Sequence, residues 1–276
     1  MITFISRLKQ DPLIRLLLKT YKRYNEDSAG NLATAIAFYA FLSVYPLLLI
    51  NLLILGWIFP GDNASQVEWE SRLFRFIPGV RALLAHNLTS LQHARTTLGI
   101  IGFLGLIWTG ISMSHAVSWT LAQIFRVSDR RGIVRRTSHS FGAIIMMSAL
   151  VLVSAGISVR IGGSVSSGVE KDLFRAANVV VTLGLDFLIF WMGYRILTPH
   201  GRLPLRKLWK GAMFGGNAWT LFKLATFWYA VFVVNKYNVV HGTFAAALSV
   251  LAMLYVSACL FLYGAELNAV LDEENA

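Results

Sequence analysis

Long apolar runs dominate the chain, and polar residues are concentrated in the short segments between them. Six such runs, each of 22 to 30 residues, lie at 32–59, 97–125, 139–161, 176–197, 208–234 and 242–271. A helix needs roughly 20 mostly apolar residues to cross the hydrocarbon core of a bilayer. Strands of a membrane barrel are about half as long and alternate strictly in polarity. The pattern therefore predicts an all-α membrane protein with six transmembrane helices in one domain, residues 1–276.

Two polar segments flanking the first run also carry helical patterns. Residues 11–27 space leucines against basic residues, which predicts an amphipathic helix. It lies either on an anionic membrane surface or as a solvated helix tucked under the bundle. Residues 60–96 predict two short amphipathic helices on the outer face, broken at Pro78, which either cover the bundle or form a lid.

Composition and charge agree with a membrane location. Hydrophobic residues make up 56% of the chain and charged residues 14%, and the mean hydropathy is +0.59. Soluble domains carry about 25% charged residues. Of the 25 Lys and Arg residues, 16 lie in the segments on one side of the predicted spans. Since basic loops stay in the cytoplasm, both termini are predicted to be cytoplasmic, and the net charge of +11 reflects topology and not nucleic-acid binding.

Motifs that carry enzyme chemistry are absent from the sequence. It contains no P-loop, no nucleophile elbow and no dinucleotide-binding glycine pattern. His86 and His93 share a helix face, but no Cys, Asp or Glu beside them completes a metal shell. Cys259 is the single cysteine, so no disulfide forms within one chain. We therefore predict no catalytic residues, no metal and no cofactor, and a protein that is not an enzyme.

Two charged residues stand inside predicted spans, Asp186 in the fourth and Lys223 in the fifth. A charge at mid-bilayer costs at least ~2.5–3.5 kcal/mol, so each requires a partner, a water-filled cavity or a function. The two spans are consecutive and antiparallel, and both charges lie near mid-depth. Thr182 shares the helix face of Asp186, and Trp219 and Thr220 share that of Lys223. We predict a shared intramembrane site, used either to bind a substrate or as an ion pair.

A second polar stripe follows the second span. Ser112, His115 and Ser118 align at intervals of three residues. Such residues in a membrane helix face the bundle, where they line water or bond a neighbouring helix. Ser112 and His115 are therefore further candidates for the intramembrane site.

The last span ends in polar positions with structural interpretations. Glu266 is predicted at the cytoplasmic end, level with Arg195 and Lys210, as part of a structural ion pair. The tail 272–276, with three acidic residues, is predicted to be a solvated end. Gly211 and Gly215 permit close helix packing, either within one chain or between copies in a homo-oligomer.

Four segments carry a family resemblance: ATAIAFYAFLSVYPLLL in the first span, SHAVSWTLAQIFRV in the second, YRILTPHGR after the fourth, and the run from 210 to 271, with Gly264–Asn268 the most specific. Together they resemble the YihY/BrkB family of bacterial inner-membrane proteins, and the resemblance covers nearly the whole chain. The resemblance implies six membrane helices and no established activity. The family has carried the label ribonuclease BN, regarded as a misassignment, and some members are connected with lipopolysaccharide precursors.

Three function classes follow, in order of preference. The first is a transporter or flippase-like protein for a lipid or envelope precursor, in which Lys223 binds a headgroup phosphate or Asp186 takes up a proton. The second is a membrane scaffold whose charges lock helices together. The third is a membrane-embedded hydrolase or ribonuclease. Membrane lipids, including an anionic lipid or a lipopolysaccharide precursor, are the expected partners, and nucleic acid is not.

Overall fold

Six α-helices account for the regular structure in the residues that the computed structural model describes, which are 12–58, 95–127, 169–198, 205–229 and 242–274. The helices are α1 (Pro12–Glu26), α2 (Ala29–Ile58), α3 (Arg95–Ile124), α4 (Val169–Leu197), α5 (Leu205–Tyr229) and α6 (Gly242–Glu274). No strand occurs in these ranges. The predicted all-α class is confirmed for this part of the chain.

Five of the helices, α2 to α6, overlap predicted membrane spans. Three of them contain segments long and apolar enough to cross a membrane: Ile100–Ile124, Val179–Leu197 and Ala247–Glu274. α2 is a helix of 30 residues, of which the apolar segment Ala29–Val44 is the continuous part with described side chains. α5 carries three Lys, one Arg and one Asn, which lower its hydropathy. The predicted span 139–161 and the predicted outer helices of 60–96 lie outside the described residues. The count of six spans therefore stays a prediction.

The helices pack as two pairs joined by the last helix. α2 packs along α3, and α4 packs along α5. α6 contacts both α5 and α2, so it lies between the pairs, and α1 packs on α6. Contact between α3 and α4 is minor. Consecutive helices with short connections are antiparallel neighbours, which accounts for the α4–α5 pair.

Among the side chains that the structure describes, the buried apolar ones collect at one end of this bundle, which we call the packed end. It is built from the start of α2, the ends of α3 and α4, the start of α5 and the end of α6. Its most buried members include Ala33, Leu121, Tyr194, Ala212 and Leu262. Side chains toward the opposite ends of α3 to α6 are more exposed, among them Ile100, Val180, Leu224 and Leu248.

Glycines allow the helices to approach closely at the packed end. A Cβ on Gly211 of α5 would meet the carbonyl oxygen of Gly264 on α6. A Cβ on Gly215 would lie 2.6 Å from the ring of Phe190 on α4. Both glycines of the Gly-x-x-x-Gly motif therefore serve packing within one chain.

Two helix ends place a non-glycine residue in the left-handed region of backbone space. Ser28, between α1 and α2, has φ of 52°, and Arg126, after α3, has φ of 50°. The amide of Val127 donates to the Ala122 carbonyl and that of Arg126 to the Gln123 carbonyl. This is the hydrogen-bond pattern of a Schellman motif, whose left-handed position is usually glycine.

Candidate intramembrane site

Asp186 and Lys223 meet between α4 and α5. The ammonium Nζ of Lys223 lies 2.6 Å from Oδ2 and 2.8 Å from Oδ1 of Asp186, so it bonds both carboxylate oxygens. The hydroxyl of Thr220 donates to the same Oδ2 at 2.6 Å. A charged pair with an additional hydrogen bond satisfies groups that would otherwise be unpartnered at this depth.

The local sequence explains why these side chains converge. Gly216, Thr220 and Lys223 recur at intervals of four and three residues, so they share one face of α5. A Cβ on Gly216 would lie 3.0 Å from the backbone nitrogen of Phe187, which shows how closely α5 approaches α4 beside Asp186. The absence of a side chain at Gly216 lets the short carboxylate of Asp186 reach α5.

The two charges differ in accessibility. The Asp186 side chain is 3% exposed, whereas that of Lys223 is 32% exposed. The Lys223 ammonium also lies 5.9 Å from the centroid of the Trp219 ring, within the range of a cation–π contact. The carboxylate is thus sealed between the helices, whereas the Lys223 side chain is partly exposed.

The remaining candidates of this site lie farther apart. Thr182 is half-buried one turn before Asp186 on α4. Ser112 donates to the carbonyl of Trp108 on its own helix at 2.8 Å, and His115 is half-buried on α3. α3 packs chiefly against α2. The contribution of Ser112 and His115 to the site of Asp186 and Lys223 therefore stays a prediction.

Glu266 has a different partner from the predicted one. Its fully buried carboxylate lies 3.0 Å from Nε of Arg23, which belongs to α1. Arg195, the predicted partner, has an exposed side chain at the end of α4. The sequence prediction rested on the level of Glu266 along its span, and that level does not identify which neighbouring helix supplies the cation.

Arg23 connects three helices through one buried guanidinium. Besides Glu266, it lies 2.6 Å from Glu273 of α6 and 3.8 Å from Asp27. Its Nη2 donates to the carbonyl of Ile124, the last residue of α3, at 2.8 Å. A cation at a helix carboxyl end is favoured by the helix dipole.

The acidic end of α6 is paired and not freely solvated, contrary to the expectation from sequence. Asp272 pairs with Lys207 at the start of α5. Glu274 lies 3.0 Å from Lys19 of α1. These two surface pairs, together with the Arg23–Glu273 pair, hold the end of α6 to both neighbouring helices.

Two further buried polar residues were not among the sequence candidates. The side-chain oxygen Oδ1 of Asn268 accepts from the backbone amide of Gly211 at 2.7 Å. Its side-chain nitrogen Nδ2 donates to the backbone carbonyl of Leu208 at 3.0 Å. The Tyr194 hydroxyl donates to the Phe261 carbonyl at 2.7 Å. Both are polar residues inside long apolar runs. The same pattern drew attention to Asp186, so it could also have identified these two.

Among the described residues, no group of three or more His, Cys, Asp or Glu side chains is arranged to hold a metal ion. The site instead brings the Asp186 carboxylate into contact with the Lys223 ammonium and the Thr220 hydroxyl. The ammonium can exchange the carboxylate for another anion.

Comparison with known proteins places the chain among membrane proteins. The sequence profile of the family described as virulence factor BrkB matches residues 20–276. A UPF0761 membrane protein of Ralstonia nicotianae is 30% identical over 98% of this chain and 62% of its own length. Another, of Alcanivorax borkumensis, is 26% identical over 89% of this chain and 58% of its own length. The chain thus spans about three fifths of these two relatives.

A third relative differs in its name. The putative ribonuclease-like protein YfkH of Bacillus subtilis is 22% identical over 93% of this chain and 95% of its own length. No solved structure matches the chain.

Proposed function

The chain belongs to the virulence factor BrkB family, whose bacterial relatives are named membrane proteins, and we propose that it moves a lipid or an anionic envelope precursor across the bacterial inner membrane. In this proposal the protein is multi-pass with both termini cytoplasmic. Asp186 and Lys223 form the substrate-responsive site. Moving a lipid across a membrane requires no catalytic residues, and the proposal assigns none.

The unequal exposure of the two charges is the observation that carries the proposal. Lys223 is accessible at 32% and Asp186 is sealed at 3%. An anionic headgroup approaching the pair therefore meets the ammonium first. Arg or Lys facing a phosphate is a common mode of anion binding, and Lys acts as a point charge that does not require one fixed orientation.

Exchange of partners gives a cycle that balances charge. When a proton binds Asp186, the carboxyl becomes neutral and the ammonium of Lys223 is free to pair with a headgroup phosphate. Release of the headgroup restores the Asp186–Lys223 pair and returns the proton. Thr220 is able to hydrogen-bond either form of the carboxyl, and Trp219 holds the ammonium near its resting position.

Lipid movement in reconstituted vesicles tests this function. The purified protein is placed in proteoliposomes containing NBD-labelled phosphatidylglycerol, and dithionite reports the label that reaches the outer leaflet. We expect the wild type to exceed protein-free vesicles and Lys223→Met to fall to their level. Lys210→Met, the same change at an exposed position of α5, is the control and should retain wild-type activity. Equal activity of Lys223→Met and wild type would refute the assigned role.

A scaffold is the second candidate, and the close packing at Gly216 favours it. A charge pair that only joins α4 to α5 tolerates removal of both charges better than removal of one. The double variant Asp186→Asn with Lys223→Met separates the two functions. A scaffold predicts that it regains the thermal stability lost in Lys223→Met and performs as wild type in cells. Transport predicts restored stability without restored lipid movement.

A further inference from the structure

Helix α1 exposes an apolar face that the helix bundle does not use. Leu13 is 72% exposed, Tyr21 is 57% exposed, and Leu17 and Leu18 are also exposed. At about 100° per residue, these four side chains fall within an arc of roughly 140° on the helix. We call this arc the leucine face.

The bundle holds α1 mainly by the adjoining side, and Tyr24, which lies between Leu13 and Leu17 around the helix, is where the two sides meet. Thr20 and Arg23 are its buried residues, and Arg23 makes the contacts to α3 and α6 described above. Tyr24 packs its ring 5.8 Å from that of Tyr263 on α6, and burial raises the pKa of Tyr24 well above its usual value. The four side chains of the leucine face stay exposed beside this attachment.

The position of α1 places this face at the membrane boundary. Arg23 bonds the carbonyl of Ile124, where the apolar segment of α3 ends. Lys19 pairs with Glu274, where the apolar segment of α6 ends. A helix fixed at the ends of two candidate spans lies at the depth of the lipid headgroups, where apolar side chains reach the upper acyl chains.

Basic residues border the leucine face. Arg15 and Lys22 are exposed, and at about 100° per residue they follow Leu18 around the helix by roughly 40–60°. Lysine and arginine at this position attract anionic headgroups, each contributing about 1 kcal/mol near a charged surface. An apolar arc with a cationic edge is complementary to an anionic leaflet.

We propose that the leucine face of α1 docks in the headgroup region of an anionic phospholipid leaflet, with Arg15 and Lys22 contacting the headgroups. Of the two placements that the sequence allowed, the membrane surface is the one that uses the exposed leucines. α1 is then a peripheral anchor, attached to the lipid by the leucine face and to α3 and α6 by the adjoining side. This inference does not depend on transport at Asp186 and Lys223.

Site-directed fluorescence on the full chain tests the docking. In a Cys259→Ser background, bimane is attached at Leu13→Cys, and the protein is reconstituted in nanodiscs containing phosphatidylglycerol. Doxyl-labelled lipid quenches probes in the bilayer, and acrylamide quenches probes in water. Glu26→Cys, exposed on the other side of α1, is the matched control, and Tyr21→Cys is a second position on the leucine face.

We expect the probes at Leu13 and Tyr21 to be quenched by doxyl lipid and to be severalfold less sensitive to acrylamide than the probe at Glu26. Equal acrylamide quenching at all three positions would mean that the face lies in water, and the proposal fails. Protection from both quenchers would mean that protein covers it, either a second copy or another partner, and the proposal also fails.

Lipid charge is tested separately in the same nanodiscs. Replacing phosphatidylglycerol by phosphatidylcholine should raise acrylamide quenching of the Leu13 probe at least twofold. The double variant Arg15→Gln with Lys22→Gln should show raised quenching in both lipids and little difference between them. If quenching is independent of lipid charge in the parent protein, the assignment of anionic headgroups as the ligand is wrong.

Discussion

At the scale of single residues, Arg23 has polar partners on more helices than any other residue in the described ranges. Its guanidinium contacts Glu266 and Glu273 of α6 and the carbonyl of Ile124 in α3, and it is itself part of α1. Arginine suits this position because its planar group offers five donors in several directions. Removing it would leave the fully buried carboxylate of Glu266 without a cation.

Arg23→Met should therefore lower the free energy of unfolding by about 3–5 kcal/mol, the range for breaking one side of a buried ion pair. Lys22→Met is the matched control, because Lys22 is exposed and lies 3.5 Å from an exposed Glu26, and it should cost about 0.5 kcal/mol or less. Unfolding followed by tryptophan fluorescence in detergent measures both. Adding Glu266→Gln to Arg23→Met should recover part of the loss, and no recovery would contradict a charge effect.

The two buried ion pairs show what the sequence could predict at this scale. The sequence predicted one shared site for Asp186 and Lys223, because consecutive spans with a short connection are neighbours and depth alone then aligns the residues. Glu266 and Arg23 are far apart in sequence, and the sequence left the helix of Arg23 either on the membrane surface or tucked under the bundle. Hydrophobic patterning does not specify which side of such a helix touches the bundle, so this pair could not be predicted.

At the scale of elements, helix ends were the features that patterning placed least precisely. The predicted span 176–197 ends with α4 at Leu197, but α4 begins earlier, at Val169, through charged residues that the hydropathy pattern excluded. The end of α3 is fixed by backbone geometry, since Arg126 takes the left-handed position of the closing motif. Nothing in hydropathy marks an arginine for that position, because the usual signal is glycine.

Arg126→Gly should stabilise the protein by about 1 kcal/mol, because glycine adopts a positive φ without the steric cost carried by other residues. Arg126→Ala removes the same side chain but keeps the Cβ, so it should give no comparable gain. Chemical unfolding of the two variants side by side measures the difference. Equal stabilities would mean that the backbone at Arg126 is not strained.

At the scale of the whole molecule, the packed end and the more exposed opposite end divide the stability unequally. Leu262 is fully buried on α6, and Leu248 on the same helix is half exposed. The apolar spans were visible in the sequence, but hydropathy does not mark the packed end, because the more exposed first half of α6 is more apolar than the packed half, which carries Glu266 and Asn268. The difference in burial between the two ends of α6 arises because five helices converge near residues 258–270. The composition of one span does not predict where other helices converge on it.

Leu262→Ala should lower stability by about 2–4 kcal/mol through lost packing and a residual cavity. Leu248→Ala deletes the same atoms from the same helix and should cost less than about 1 kcal/mol, because lipid or detergent replaces the lost contacts. Thermal unfolding in matched detergent provides the comparison. Similar losses at both positions would contradict the unequal packing of the two ends.

The central position of α6 has a consequence for the order in which the molecule is assembled during synthesis. The pairs α2–α3 and α4–α5 precede α6 in the chain, so each pair leaves the ribosome and enters the membrane before α6 exists. Asp186 and Lys223 belong to one pair and can neutralise each other at that stage. Asn268 and Glu266 arrive last, and their bonds to α5 and α1 form only when α6 inserts between the finished pairs. When helices form first and associate second, the polar contacts that α6 makes with α5 and α1 are therefore the last to form.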